Sequence, residues 1–192
     1  MNERDEDQSD LFDGPSDIDL MRLLLSDLND DLPGKVARFR YLSDVSSDFG
    51  EHGIMLFGGT VSAAALGEAR SSFVHGNFVA AILLCQTLAE NVLAGVLHLR
   101  GTDIPERVAF RETLRHLEAG GVVTAKDLAD LKKIADMRNP LSHFRPPSDA
   151  GNLTRRSMVS GEPTEEILSR DAHFAIATLM RLLSQPPFRV GR

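Results

Sequence analysis

Residues 77–100 read NFVAAILLCQTLAENVLAGVLHLR, and this stretch decides the fold. Apolar side chains occur at nearly every angular position around the predicted helix, not along a single stripe. Such a helix has to be buried among other helices or covered by a partner chain. Small residues such as Ala80 and Gly95 would let neighbouring helices approach closely. Gly76 and Gly101 flank the stretch, and each predicts a helix end.

Apolar residues also recur at helical spacing on both sides of this central segment. The predicted main helices cover residues 60–75, 77–100, 105–118, 124 to about 138, and 164–184. Two shorter helices are predicted before them, one from Ser16 until Pro33-Gly34 and one over residues 36–45. The sequence therefore predicts an all-α fold, an up-down helical bundle of four to five main helices with short N-terminal helices.

Three segments are predicted from composition. Residues 1–16 are polar and acidic, which is typical of a disordered leader that either solubilises the chain or mimics phosphate and inhibits it. Residues 17–59 form an N-terminal extension of helix and loop, and residues 60–185 form the bundle. Within the extension, the apolar residues 54–57 predict either a short strand or a loop on the core.

The formal net charge of −7 is unevenly distributed. Residues 1–31 contain eleven acidic side chains and two arginines, so they carry −9 and the remainder carries +2. A mildly basic body remains compatible with RNA binding. Tryptophan is absent and only one tyrosine is present, which argues against a stacking platform of the RRM or OB type.

The rest of the composition indicates the cellular compartment and the kinds of chemistry that the chain can perform. Cys85 is the single cysteine, so no disulfide forms within the chain, as expected in a reducing cytoplasm. Buried filler is the favoured role for this thiol. The uncharged apolar run from Phe78 to Ala89 is too short to span a membrane, and the acidic N-terminus is unlike a signal peptide. We expect a cytoplasmic protein without a membrane, a metal site or a cofactor.

The candidate reactive stretch is residues 137–144, MRNPLSHF. Arg138 offers a permanently charged fork of donors that suits phosphate oxygens. His143 can take up and release a proton near neutral pH. Asn139 can orient a neighbour or bond a ribose or phosphate oxygen. These three residues would be sufficient for metal-free cleavage of RNA by its own 2′-hydroxyl.

Proline at position 140 decides whether the two charged groups can converge. On a straight helix, residues five apart diverge by about 140°. Pro140 should break or kink the helix, with Asn139 as N-cap of a new turn whose free N–H groups form an anion site near Arg138. Alternatively, Arg138 and His143 meet across a dimer interface.

The string Arg138-Asn139-(three residues)-His143 resembles the signature of the HEPN superfamily, with a polar residue directly after the arginine. The resemblance implies a helical bundle over about residues 60–185 and a metal-independent endoribonuclease of a toxin–antitoxin or antiphage defence system. It also implies a homodimer with a composite active site. Arg145 stands where members paired with a nucleotidyltransferase antitoxin carry tyrosine, so that subgroup is not indicated.

Further residues are predicted to support the site. Glu90, a carboxylate in the apolar central helix, needs a partner, and Arg138 is one candidate, with a position on the wet edge as the alternative. Ser142 is a second supporting group. Lys132, Lys133, Arg145, Arg155 and Arg156 are candidate RNA contacts, although charged runs and exposed loops are usually only solvated.

Two other functions remain open from sequence. One is a non-catalytic HEPN-like dimer that binds RNA, nucleotide or protein. The other is a structural helical dimer with Arg138 and His143 complementing a helix end. The resemblance to nucleases of toxin–antitoxin systems implies an antitoxin protein as a partner.

Overall fold

The computed structural model describes residues 14–105 and 107–190, and this part of the chain is all-α. Eight α-helices lie within the described ranges and are numbered in chain order. They are α1 (Asp17–Asn29), α2 (Leu32–Ser46), α3 (Gly59–His75), α4 (Phe78–Leu99), α5 (Phe110–Ala119), α6 (Ala125–Ser142), α7 (Leu153–Ser160) and α8 (Thr164–Leu183). Single 3-10 turns follow α2 (Ser47–Phe49) and α8 (Pro186–Phe188).

Helix α4 is the centre of the bundle, as its composition predicts. It packs against α3, α8, α6 and α5, and eleven of its 22 residues are buried. The turn from α3 into α4 is tight because Gly76 adopts a positive φ of 83°, a left-handed conformation that glycine takes without strain. The predicted all-α bundle is confirmed.

Helix α4 also has the length and composition of a membrane-crossing segment. Its apolar window has a mean hydropathy of 1.7, and half of that window is buried by the other helices. The uncharged apolar run ends at Ala89, whereas the helix itself continues past Glu90 to Leu99. The core helix of a soluble protein passes the same test.

The two halves of the N-terminal extension differ in packing. Helix α2 contacts α3 and α8 and buries Leu42, whereas α1 buries no residue. The predicted leader falls mostly on residues 1–13, which lie outside the described residues. Residues 54–57 form a loop pinned by one antiparallel bridge, Ile54 to Arg189, with the Met55 N–H donating to the Phe188 carbonyl at 2.6 Å.

Several predicted boundaries were wrong. The helix predicted from residue 105 begins at Phe110. Pro33-Gly34 lies in the first turn of α2 and does not end α1, because Asp31 caps the new helix by accepting the Gly34 N–H. The helix predicted over residues 60–75 begins at Gly59. No helix is among those predicted over residues 153–160, yet these residues form α7, which Asn152 caps.

Candidate functional site

Helix α6 carries Arg138, and its own sequence explains how it is placed. Thr124 caps the helix, since its hydroxyl accepts the Asp127 N–H at 3.1 Å and donates to the Asp127 carboxylate at 2.6 Å. Leu131 and Ile134 face the core and are fully buried. Arg138 follows Ile134 by four residues, so it continues the same side of the helix and is half-buried.

The predicted helix break at Pro140 was wrong. Helix α6 continues through Pro140 to Ser142. Proline removes only one hydrogen bond here, the one to the Asp136 carbonyl, and Asp136 is exposed, so water can solvate that group. The His143 N–H still donates to the Asn139 carbonyl at 3.1 Å and closes the last turn. Asn139 is therefore inside a helix, and no new helix N-terminus forms beside Arg138.

His143 lies just beyond the end of α6. Its backbone is extended, with φ −132° and ψ 139°, and its side chain is exposed. Phe144 follows with 90% of its surface exposed. Among the described residues, the hydrogen bonds and ion pairs of the structure include none that uses the Arg138 guanidinium or the His143 imidazole. Within one chain, the two groups are not joined directly.

The expected ion pair between Glu90 and Arg138 is absent from the described part of the chain. Glu90 accepts a hydrogen bond at 2.6 Å from Gln86, one turn earlier on α4, and is half-buried. An i,i+4 partner on its own helix satisfies this carboxylate, so it does not need a cation from α6. Ser142 contacts the motif through the backbone, because its hydroxyl donates to the Arg138 carbonyl at 3.2 Å.

The segment after the motif folds back against it. The Asn152 side-chain amide donates to the Arg145 carbonyl at 2.9 Å, and the Gly151 N–H donates to the Asp149 carboxylate at 2.7 Å. A Cβ on Gly151 would lie 3.4 Å from Pro140 Cγ, so this position has little room beside the proline ring. Asn152 was missed in the sequence, where its place directly before Leu153 is a recognisable cap signal.

The five candidate RNA-binding cations all have partners within the described chain. The partners are Glu118 for Lys132 at 3.7 Å, the Phe174 ring for Lys133 at 4.1 Å, Asp149 for Arg145 at 3.7 Å, the Ser148 carbonyl for Arg155, and Asp171 for Arg156. Exposed pairs of this kind are weak and exchange readily for a phosphate partner. The pair of Arg156 with Asp171 is different.

Arg156 is tied to a buried carboxylate. Two of its nitrogens donate to the two oxygens of Asp171 at 2.6 and 3.1 Å, and the Asp171 side chain is only 6% exposed. Releasing Arg156 to a phosphate would leave a buried negative charge without its partner. Arg156 is thus a structural residue that anchors α7 to α8. Sequence reasoning missed Asp171, although its spacing from Ile167, Phe174 and Ala175 places this carboxylate on the apolar side of α8, which is a detectable signal.

An open groove of about 440 Å³ adjoins the motif helix. Met137 and Pro140 line it from α6, and Lys133, Asp171 and Phe174 line its other parts. Cations, carboxylates and one aromatic ring occur together in this lining. The groove lies on the side of α6 that carries Lys133, Met137 and Pro140, and Arg138, Asn139 and His143 are not among its lining residues.

Two further observations concern the chemistry available in the fold. Burial raises the pKa of the Cys85 thiol to about 12, so this cysteine is held in the unreactive thiol form. Within residues 14–105 and 107–190, His, Cys, Asp and Glu side chains form no group of three or more arranged to hold a metal ion.

Comparisons with known protein families, with characterised proteins and with solved structures gave no match. The likeness to the HEPN superfamily is thus carried by the motif from Arg138 to His143.

Proposed function

We propose that the chain is a metal-independent endoribonuclease of HEPN type, associated with a toxin or defence system. One contrast carries this proposal. The five flanking cations have partners, whereas Arg138 and His143 have none among the described residues. Arg138 lies in the last part of α6, and His143 lies directly after its end. A phosphate stabilises a half-buried guanidinium that has no counter-charge more strongly than it stabilises a fully solvated guanidinium.

Arg138 is assigned to bind the scissile phosphate. Its position on the same side as Ile134 holds the stem of the side chain against the bundle and limits the freedom of the guanidinium. Negative charge grows on the nonbridging oxygens as phosphorus becomes five-coordinate, and a fixed cation stabilises that charge. Asn139, next to it and half-buried, is assigned to orient the phosphate or ribose.

His143 is assigned to the proton transfers. The 2′-oxygen attacks phosphorus as its proton passes to an imidazole, and the bond from phosphorus to the 5′-oxygen breaks as that oxygen receives a proton. The products are a 2′,3′-cyclic phosphate and a 5′-hydroxyl, and no net proton is consumed. Exposure of His143 at the helix end leaves it accessible to RNA.

The geometry of α6 supports the proposal of a homodimer with a composite site. Arg138 lies inside the continuous helix and His143 lies beyond its end with an extended backbone, and no hydrogen bond joins their side chains in the described part of the chain. Two motifs facing each other would supply a second histidine, so that one imidazole accepts a proton while the other donates one. The exposed Phe144 ring beside the motif is available to such an interface or to a base of the RNA. An antitoxin protein would act by covering this surface.

The proposal is tested by RNA cleavage in EDTA with purified variants. His143→Ala and Arg138→Ala should each lower the cleavage rate by about 100-fold or more. His98→Ala is the matched control, because His98 is also an exposed histidine near the end of a helix. Circular dichroism should be unchanged in all three variants. Full activity in either motif variant would contradict the assignment.

A second candidate is a non-catalytic HEPN-like dimer that binds RNA, nucleotide or protein. The net charge of −7 and the pairing of all five flanking cations favour a protein as the partner of such a dimer, since both weaken attraction for a polyanion. On this reading Arg138 and His143 complement the carboxyl end of α6. Stable RNA binding without strand cleavage would favour this candidate over the nuclease.

A further inference from the structure

Helix α1 is formed locally, but no described part of the chain covers its apolar side. Ser16 caps its start by accepting the Asp19 N–H at 3.3 Å. Lys35 of α2 caps its end by donating to the carbonyls of Leu28 at 3.1 Å and Asp30 at 2.6 Å. None of its residues is buried. A 13-residue helix is marginal in water unless an apolar side is packed, so α1 lacks the contact that would stabilise it.

The apolar side of α1 is broad. Six apolar side chains share one side of the helix, an arc of about 160° around its axis. They are 44% to 69% exposed, and we call them the α1 stripe: Ile18, Leu20, Met21, Leu24, Leu25 and Leu28. At roughly 100 Å² for each side chain, the stripe exposes about 600 Å², the upper end of what a monomer commonly leaves open. An apolar surface of this size is typical of a docking site.

The α1 stripe continues into an open cleft of about 920 Å³ between the end of α1 and the bundle. Leu24 and Leu28 of the stripe line the cleft on one side. Phe78 of α4 and Pro163, directly before α8, line it on the other side. The side chains of another helix therefore have access to the stripe and to the cleft together.

The lining of this cleft is acidic. It contains five carboxylates against Lys35 and Arg38, which gives a formal charge of −3 with His75 neutral. Arg38 is occupied, because it donates to the Asp31 carboxylate at 3.0 Å, and Lys35 is held by backbone carbonyls. The other four carboxylates have no ion-pair partner within residues 14–105 and 107–190, and they are Asp27, Asp30, Glu165 and Glu166.

Like charges on both sides of the cleft decide what can fill it. If α1 closed on the bundle, Asp27 and Asp30 would approach the two glutamates of α8, and repulsion would oppose that closure. A second copy of the chain is opposed in the same way, because residues 1–31 of each copy carry −9 and Asp17 lies within the arc of the stripe. Lysine or arginine side chains placed between the two sides would neutralise both.

We propose that the α1 stripe and the adjoining cleft bind a basic amphipathic helix of a partner protein. The apolar side of that helix packs on the α1 stripe, as in recognition of a helix by a groove. Its lysine or arginine side chains reach the carboxylates of the cleft, where opposite charge speeds association and fixes the orientation. No residue of the motif lines the cleft, so the inference does not rest on the nuclease proposal.

The test measures the binding of two synthetic helical peptides to the full chain by fluorescence anisotropy. Each peptide has about 18 residues, with leucines at intervals of three and four. The other positions carry lysine and alanine in one peptide and glutamate and alanine in the other. The lysine peptide should bind with a dissociation constant of about 10 μM or below, and the glutamate peptide should bind at least about 100-fold more weakly. Added salt should weaken the binding of the lysine peptide.

One pair of variants tests the apolar contact. Leu25→Ser should weaken the binding of the lysine peptide by about 10-fold or more, because it removes a leucine from the stripe. Leu23→Ser is the matched control, since Leu23 is 63% exposed but lies about 160° away from Leu25 around α1. The control makes the same change in helix propensity and should bind the peptide like the wild type.

A second pair of variants tests the charge of the cleft. Reversing both glutamates of α8, by Glu165→Lys with Glu166→Lys, should weaken the binding of the lysine peptide by about 10-fold or more. Glu51→Lys with Glu68→Lys is the matched control, because both residues are exposed and lie outside the cleft. It changes the net charge by the same amount and should have little effect on binding. Circular dichroism should show that every variant remains helical.

Four outcomes would overturn the inference. The first is no binding of the lysine peptide with the chain at about 100 μM. The second is equal binding of the lysine and glutamate peptides. The third is an equal effect of the two members of either variant pair, since binding would then follow helix content or net charge and not this surface. The fourth is a wild-type dimer that Leu25→Ser dissociates, which would assign the stripe to a second copy of the chain.

Discussion

Asp127 allows the sharpest test of how the bundle is held together. Its side chain is only 4% exposed. It accepts hydrogen bonds from Thr124 at 2.6 Å, from Gln185 at 2.8 Å and from Arg181 at 3.1 Å. One carboxylate therefore ties the start of α6 to the end of α8 and the turn beyond it. We predict that Asp127→Ala destabilises the chain more than any exposed substitution on α6.

The magnitude follows from what the substitution leaves behind. Removing one partner of a buried charge pair costs about 3–5 kcal/mol. The lower end applies here, because Arg181 is 37% exposed and keeps Asp130 as a partner at 2.7 Å. Loss of the Thr124 contact weakens the cap of α6 as well. We therefore expect the free energy of unfolding to fall by about 3 kcal/mol.

The assay is urea unfolding followed by circular dichroism. Asp136→Ala is the matched control, because Asp136 lies on the same helix, is exposed, and should change stability by less than about 0.5 kcal/mol. An Asp127→Ala chain no less stable than the Asp136→Ala chain would refute the reasoning.

The same carboxylate gives a pH dependence. Burial raises the pKa of Asp127, but hydrogen bonds from Thr124, Gln185 and Arg181 and the charge of Arg181 lower it by more, so it lies below its ordinary value. A depressed pKa in the folded state stabilises the chain above the unfolded value of about 3.9. That stabilisation is lost as the pH falls through the folded value. The gap between wild type and Asp127→Ala should be constant above about pH 5 and narrow below about pH 4.

Three further outcomes are expected. Arg156→Ala should lower the free energy of unfolding by about 3 kcal/mol in urea, because it leaves Asp171 buried without its partner; a loss below about 0.5 kcal/mol would contradict this. Glu90→Gln should leave RNA cleavage unchanged, because Glu90 bonds Gln86 and not Arg138; a large loss of rate would restore Glu90 to the site. Cys85 should resist alkylation at pH 8 in the folded chain and react in urea, since burial raises its thiol pKa to about 12; rapid labelling of the native chain would contradict its burial.

Features set by local periodicity were predictable from the sequence. The all-round apolar pattern of residues 77–100 identified the central helix, and the predicted start of a helix at residue 124 agrees with the cap that Thr124 forms on α6. Both depend on residues a few positions apart, whose spacing fixes the geometry. The end of α8 near residue 184 was predicted for the same reason.

Features that depend on which of several candidate partners a residue contacts in the folded chain were not predictable. Several residues in the sequence are candidate partners for Glu90, and only the structure shows that the Gln86 side chain donates a hydrogen bond to it. Pro140 predicts a break in the helix. Near a helix end, however, proline removes only one backbone hydrogen bond, so the packing of α6 keeps the helix continuous to Ser142. Arg156 was read as an exposed cation because its partner, Asp171, is 15 residues away on another helix.

The central claim is cleavage of RNA by its own 2′-hydroxyl at the site of Arg138 and His143. The direct measurement compares unmodified RNA with the same RNA 2′-O-methylated at every nucleotide, incubated with the wild-type chain in EDTA. We predict that only the unmodified strand is cut, and that its fragments end in 2′,3′-cyclic phosphate. Cleavage of the methylated strand, or an intact unmodified strand after prolonged incubation, would contradict the account.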